Sequence, residues 1–198
     1  MPDRYSSFAA LEAGEVLGVD YRIRIQDRGT SIIIIAPHGG YIEPVTSQIA
    51  EAIAAEDLSL YLFEGVRSGR PHSDLHITSS KFDEPQGVSL VGRTETAIAV
   101  HGRSNDGRAT IWMGGRDVAL RNAITAALKS AGFEAAFDPA HLPGLDSTNI
   151  CNRSRNRAGV QLELPRSLRD QVDADPERMA TLVSAIRSAA LDNQGRER

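Results

Sequence analysis

A single cysteine, Cys151, stands in the 198 residues, so no intrachain disulfide can form. The residues before position 30 lack the basic start and apolar core of a secretory leader. Together these absences lead us to expect a cytoplasmic protein. No apolar stretch approaches the ~18 residues of a membrane span; the longest, residues 32–37, is strand-sized, and no membrane partner is expected. Positive charge in bulk is also missing. Lys and Arg number 22 against 26 Asp and Glu, a formal net charge of −4, which gives no basic field for gripping a phosphate backbone. Nucleic acid is therefore not the expected partner, although local arginine clusters remain available to an anionic ligand.

What is present is 41% hydrophobic and 24% charged residues, the mix of an ordinary soluble globular chain. The length suits one domain with a sizeable core. We expect residues 1–198 to form a single domain, with 1–17 and 192–198 peripheral, and find no repeat or linker. Tyr21-Arg-Ile-Arg-Ile25 alternates like a half-exposed strand, and Asp27-Arg-Gly29 reads as a turn leading by a hairpin into Ser31–Ala36. That second run is apolar and β-branched, the composition of a strand covered on both faces. Leu58–Phe63, Thr96–Val100, Thr110–Met113 and Val160–Leu164 are further short strands. Glu43-Pro44 should open a helix running to about Glu56, since proline fits the first helical position. Arg116–Ser130 and Pro176–Leu191 also have helical periodicity, and Arg67–Gln86 is too long and polar for a plain connection. The alternation of strands and helices predicts an α/β fold: an open, mixed, mostly parallel sheet with helices on both faces.

Two histidines mark the ends of apolar runs. His38 follows Ile32-Ile-Ile-Ile-Ala-Pro37 and precedes two glycines, and His101 follows Ala97-Ile-Ala-Val100 and precedes Gly102. In open α/β sheets, strand ends are where ligands bind. Zinc chemistry takes about three protein ligands, usually His and carboxylate, with a position left for water. His38, Glu43 and His101 meet that count, and the glycines after His38 allow a turn that brings Glu43 back beside it. Taken alone, His38 reads equally well as a strand end satisfied by backbone groups, and Glu43 as a helix-start carboxylate. Glu163 shares a strand face with Gln161 opposite Val160, Leu162 and Leu164. It is either a general base facing the metal or a solvated residue on a wet strand face. His72-x-x-x-His76 has the spacing of a helical metal pair without the glutamate of the zinc-protease helix, and His76 is taken as a wall of the site. Arg153, Arg155 and Arg157 alternate just ahead of Glu163, and Arg grips carboxylates in a bidentate fork. Cys151 has no glycine elbow around it and reads as a buried structural thiol.

Taken in order, His38-Gly-Gly-Tyr-Ile-Glu43, His76-Ile-Thr-Ser-Ser-Lys-Phe-Asp-Glu-Pro85, Val100-His-Gly102, Asn149-Ile-Cys-Asn-Arg153 and Gly159-Val-Gln-Leu-Glu-Leu164 resemble the phage-type poly-γ-glutamate hydrolase family. That family also includes proteins labelled phage-related replication proteins. The resemblance, over roughly residues 20–190, implies a zinc carboxypeptidase-like fold and hydrolysis of γ-glutamyl amide bonds with one zinc ion. It implies His38, Glu43 and His101 as zinc ligands and Glu163 as general base, with Asn152 and Arg153 on the substrate side. The substrate-binding set expected is thus Asn152, Arg153, Arg157 and His76, acting on an acidic polypeptide or other γ-glutamyl substrate. The run Arg153–Arg157 is more basic than the family's pattern. The competing expectation is a non-enzymatic, replication-related binding module whose metal site is structural or empty. The sequence carries no sign of oligomeric state.

Overall fold

A computed structural model describes residues 3–196. Seven strands, β1 (Tyr21–Gln26), β2 (Ile32–Gly40), β3 (Ser59–Gly65), β4 (Thr96–Arg103), β5 (Ile111–Gly114), β6 (Ala135–Ala136) and β7 (Val160–Pro165), make one sheet in the order β1-β3-β2-β4-β7-β5-β6. β1/β3 and β7/β5 run antiparallel and the other four pairs are parallel. Six helices accompany them: α1 (Phe8–Gly14), α2 (Thr46–Ala54), α3 (Pro85–Val91), α4 (Val118–Ser130), α5 (Arg166–Ala174) and α6 (Pro176–Arg196). The mixed, mostly parallel α/β sheet expected from the sequence is therefore found, with helices on both faces.

The two faces bury separate cores. Ile32, Ile34, Ile98, Val100, Leu162 and Leu164 pack under α2, α4, α5 and α6. The alternate residues Ile33, Ile35, Ala97 and Ala99 pack with Tyr61 and Phe63 under α1, α3 and the segment around Leu75–Phe82. Helix α1 was not visible in the sequence. It has only seven residues, started by the Ser7 hydroxyl accepting from Ala10 N–H, and it buries Phe8 and Leu11, so part of the segment expected to be peripheral is core. At the other end, helix α6 continues past Asp192, where a frayed tail was expected; the last two residues of that tail lie outside the described residues.

The expected β1–β2 hairpin does not form. β2 lies between β3 and β4, and β1 pairs with β3 instead, Ile23 opposite Phe63. The burial explains it. Ile32–Ile35 are at most 3% exposed on either face, so β2 needs neighbours on both edges, while the alternating Arg22 and Arg24 of β1 suit a sheet edge. There they meet the carboxylates of Glu64 and Glu51.

One irregularity positions the site. Between Ala36 and Gly39, β2 carries one residue more than β3, since Ala36 faces Leu62 and Gly39 faces Glu64. An extra residue reverses the in-out alternation. Ile34 and Ala36 point toward the α2 side, but His38 emerges on the other side, against the Ile77 carbonyl and the Phe82 ring. Gly40 completes the bend at φ +61, and a Cβ there would press on the Gly65 carbonyl. Among the described residues no helix is long and apolar enough to cross a membrane.

Gly40→Ala combines a left-handed backbone with that clash. It should lower stability by about 1–3 kcal/mol, read as a drop in the urea midpoint with unchanged slope.

Candidate metal and catalytic centre

Three strand ends and one turn supply the side chains. His101 and Glu163 face each other across the parallel β4/β7 ladder, so both project from the same face of the sheet. The bulge brings His38 to that face. Glu43 belongs to the turn between β2 and α2: its N–H donates to the His38 carbonyl at 2.8 Å, and its own carbonyl accepts from Thr46 Oγ1 at 2.7 Å. Helix α2 starts at Thr46 with Val45 at φ +78, so Glu43 lies before the helix expected to open there. Beneath the turn, the buried Arg169 donates to the carbonyls of Pro44, Leu164 and Arg103, tying it to the ends of β7 and β4. Gly102 leaves room for that guanidinium, where a Cβ would collide with it.

The donor atoms converge. His38 Nδ1 lies 3.2 Å from His101 Nδ1 and 3.4 Å from Glu43 Oε1, and His101 Nδ1 lies 3.8 Å from Glu43 Oε2. Donors at about 2.0–2.1 Å around one tetrahedral ion lie about 3.3 Å apart; two imidazole nitrogens and a carboxylate are zinc-type donors, with His38 facing one oxygen of Glu43 and His101 the other. The hydrogen bonding agrees. His38 Nε2 is 2.8 Å from the Ile77 carbonyl, which can only accept, so Nε2 carries a hydrogen and Nδ1 is the ring nitrogen left facing Glu43 and His101. His76 also reaches the cluster: its ligand atom lies within 4.8 Å of those of His38 and Glu43.

Burial and the facing charges shift the ionisation of these side chains in different directions. Burial opposes ionisation of Glu43, yet the His38 charge and hydrogen bonds from His101, His38 and His72 hold its carboxyl well below the usual range. For His101, burial disfavours the cation, but Glu163 and Glu43 outweigh it and its pKa is raised. Glu163 goes the other way. Burial chiefly, and then Glu43, push its carboxyl up to about 7 against the attraction of His101, Arg103 and Arg169. Gln161 Nε2 donates to Glu163 Oε1 at 3.0 Å. Glu163 is 8% exposed, so the wet-face alternative for this residue does not apply.

His38, Glu43, His76, His101 and Glu163 line one cavity of about 610 Å³. The opposite wall is the loop Leu142–Asp146. Sequence reasoning missed Arg103 and Gln161, which also line it; the period-two pattern that singled out Glu163 could have marked Gln161, but nothing local marks Arg103. Three residues expected on the substrate side stand elsewhere. Asn152 is buried, and its side chain is used up on backbone partners: it accepts from Arg116 and Gly159 N–H and donates to the Gly144 and Asp146 carbonyls. It thereby anchors the loop that forms the wall. Arg153 donates to the Thr148 and Ser80 carbonyls, bracing the same wall from behind. Arg157 is exposed at φ +52 in the turn before β7. Cys151 is fully buried, which pushes its thiol up to about 12 and leaves it inert.

Residues 5–180 match the family model described as poly-gamma-glutamate hydrolase. The chain belongs to this family. Its relatives include the SPbeta prophage-derived UPF0714 protein YoqZ of Bacillus subtilis (strain 168), 36% identical over 86% of this chain. The chain spans only 61% of that relative's length. Among solved structures, a bacteriophage poly-gamma-glutamate hydrolase superposes with TM-score 0.91 at 31% identity, covering 98% of this chain and 99% of the other. A zinc-free form of YndL gives 0.89 at 30% identity, covering 96% and 98%. The fold is shared more distantly with an N-acetylmuramoyl-L-alanine amidase from Clostridium difficile 630, TM-score 0.51 at 13% identity, covering 85% of this chain and 98% of the other.

Two outcomes follow for this poly-gamma-glutamate hydrolase family member. Asn152→Ala strands several backbone groups and should cost about 2–4 kcal/mol in thermal unfolding, whereas Arg157→Ala should leave stability unchanged. In metal-free protein, Glu163 binds its proton more tightly folded than unfolded. Its contribution is present below pH 4.5 and fades as pH rises to about 7. Glu163→Gln should thus gain on wild type across that window by an amount on the order of 3 kcal/mol, measured by urea unfolding at pH 4.5 and pH 8.

Proposed function

We propose that the chain is a zinc-dependent amidohydrolase that cleaves γ-glutamyl amide bonds, in poly-γ-glutamate or a similar acidic polypeptide. One observation carries this reading: the donor atoms of His38, Glu43 and His101 converge in the cavity that Glu163 lines. The zinc-free YndL structure and the phage hydrolase at TM-score 0.91 support it.

In this reading His38, Glu43 and His101 hold zinc, which supplies Lewis acidity toward a carbonyl and lowers the pKa of water. Glu163 is the general base. Its carboxylate would take a proton from the attacking water and return it to the departing nitrogen, burial holding its pKa above the usual carboxylate range and Gln161 keeping its Oε1 oriented. Arg103 offers charge to a substrate carboxylate. Its guanidinium is braced by Asp106 at 2.9 Å and the Thr110 carbonyl at 2.8 Å, and its Nε is buried without a partner. His76 stands on the same wall. The buried thiol of Cys151 suits a reducing compartment such as the cytoplasm.

Purified protein should carry one tightly held zinc per chain and release new amino groups from poly-γ-glutamate. His38→Ala and His101→Ala should lose the metal. Glu163→Gln should keep it while turnover falls by about 10²–10⁴-fold. Near-normal turnover in Glu163→Gln would remove the general-base role, and a metal-free protein that binds DNA with steep salt dependence would replace this reading with the binding-module one.

A further inference from the structure

The carboxylate of Glu43 has two sides. Oε2 faces inward, accepting from Gly102 N–H at 2.7 Å beside His101. Oε1 faces His38 at 3.4 Å but also two imidazoles that the proposed catalysis does not require as ligands, His72 Nε2 at 3.6 Å and His76 Nε2 at 3.8 Å.

The proton positions around His76 are fixed from behind. Its Nδ1 lies 2.7 Å from Asp3 Oδ1, and Asp3 Oδ2 is itself held by Thr78 N–H and Oγ1, both at 2.7 Å. A carboxylate accepts, so Nδ1 carries the hydrogen and the Nε2 lone pair is turned toward Glu43 Oε1. Two electron-rich atoms face each other with no proton between them. This is the carboxylate–histidine arrangement that orients a metal ligand. The His72 ring packs against His76 at a 32° tilt with centroids 4.3 Å apart, and the His76 backbone N–H donates to the His72 carbonyl. Its side chain is 51% exposed, at the mouth of the cavity.

We propose that Glu43 Oε1, His72 Nε2 and His76 Nε2 form a second divalent-cation position, outside the one held by His38, Glu43 and His101 and bridged to it by Glu43. Two imidazoles and a carboxylate select zinc or a neighbouring transition metal over magnesium or calcium. His72 and His76 line the same cavity as Glu163, so an ion held there would narrow it. The inference rests on the inner site proposed above, with which it shares Glu43.

Equilibrium dialysis of the metal-free protein against zinc, with metal counted per chain, separates the two. Wild type should take up two equivalents, the second more weakly, and cadmium-loaded protein should show two ¹¹³Cd resonances. His72→Ala, at a half-exposed residue, should keep one equivalent and one resonance. Asp3→Ala, which removes only the orienting carboxylate, should weaken the second equivalent by about 10–100-fold. Wild type saturating at one equivalent would overturn the outer position and leave the inner one standing. A second equivalent that persists in both variants also overturns it, and no zinc uptake at all removes both readings.

Discussion

Everything at this centre depends on a change of face in the middle of the sheet. A strand as apolar as Ile32–Ala36 is bound into the core on both sides, and its regular alternation would aim His38 at helix α2 and the aliphatic core. One extra residue between Ala36 and Gly39 turns the imidazole to the side where His101 and Glu163 already project. Proline at position 37 suits the interruption, because a bulge needs a residue that gives up its ladder hydrogen bond. The bulge also sets where the chain leaves the strand. The turn then folds Glu43 back onto the His38 carbonyl, and Arg169 fastens that turn to the ends of β4 and β7.

The second constraint is charge. An ionised Glu43 at 5% exposure is costly unless cations compensate it. Glu163 and Glu43 raise the pKa of His101 against the cost of its burial, and burial pushes the Glu163 carboxyl up to about 7. The shifts of Glu43, His101 and Glu163 therefore belong to one coupled system in which a divalent ion would displace protons. Such an arrangement costs stability in the free protein, and groups that strain the fold electrostatically are commonly the ones that act.

Much of this was legible in the chain. The apolar runs located β2, β4 and β7, and the glycines after His38 and His101 marked both strand ends. The period of two in Val160–Leu164 put Glu163 and Gln161 on one face, and both line the cavity. What failed depended on non-local pairing. The hairpin expected between β1 and β2 obeyed local turn chemistry, but the need to cover β2 on both edges decided otherwise. The roles expected of Asn152, Arg153 and Arg157 followed from residue type, whereas their function in the fold follows from which carbonyls lie within reach. Helix α1 carries too few residues for periodicity to register. The second imidazole pair, His72 and His76, had helical spacing in a segment that forms only a short 3-10 turn, so the spacing was informative although the helix it suggested is absent.

The division of labour between strands and loops explains why the chemistry is easier to read than the substrate. The strand ends fix His38, His101 and Glu163 through ladder hydrogen bonds that tolerate little change. The facing wall, Leu142–Asp146, is a loop whose shape is maintained by Asn152 and Gln161 through its carbonyls. Glu43, Glu163 and Asp146 line the cavity with carboxyl groups, and Arg103 is the one arginine among its described lining residues. A bound divalent ion would add positive charge beside these carboxylates, where an acidic substrate enters. In the function proposed here the metal therefore does more than activate water. It makes the cavity receptive to a polyanion, so metal affinity and substrate affinity are coupled through the same carboxylate, Glu43.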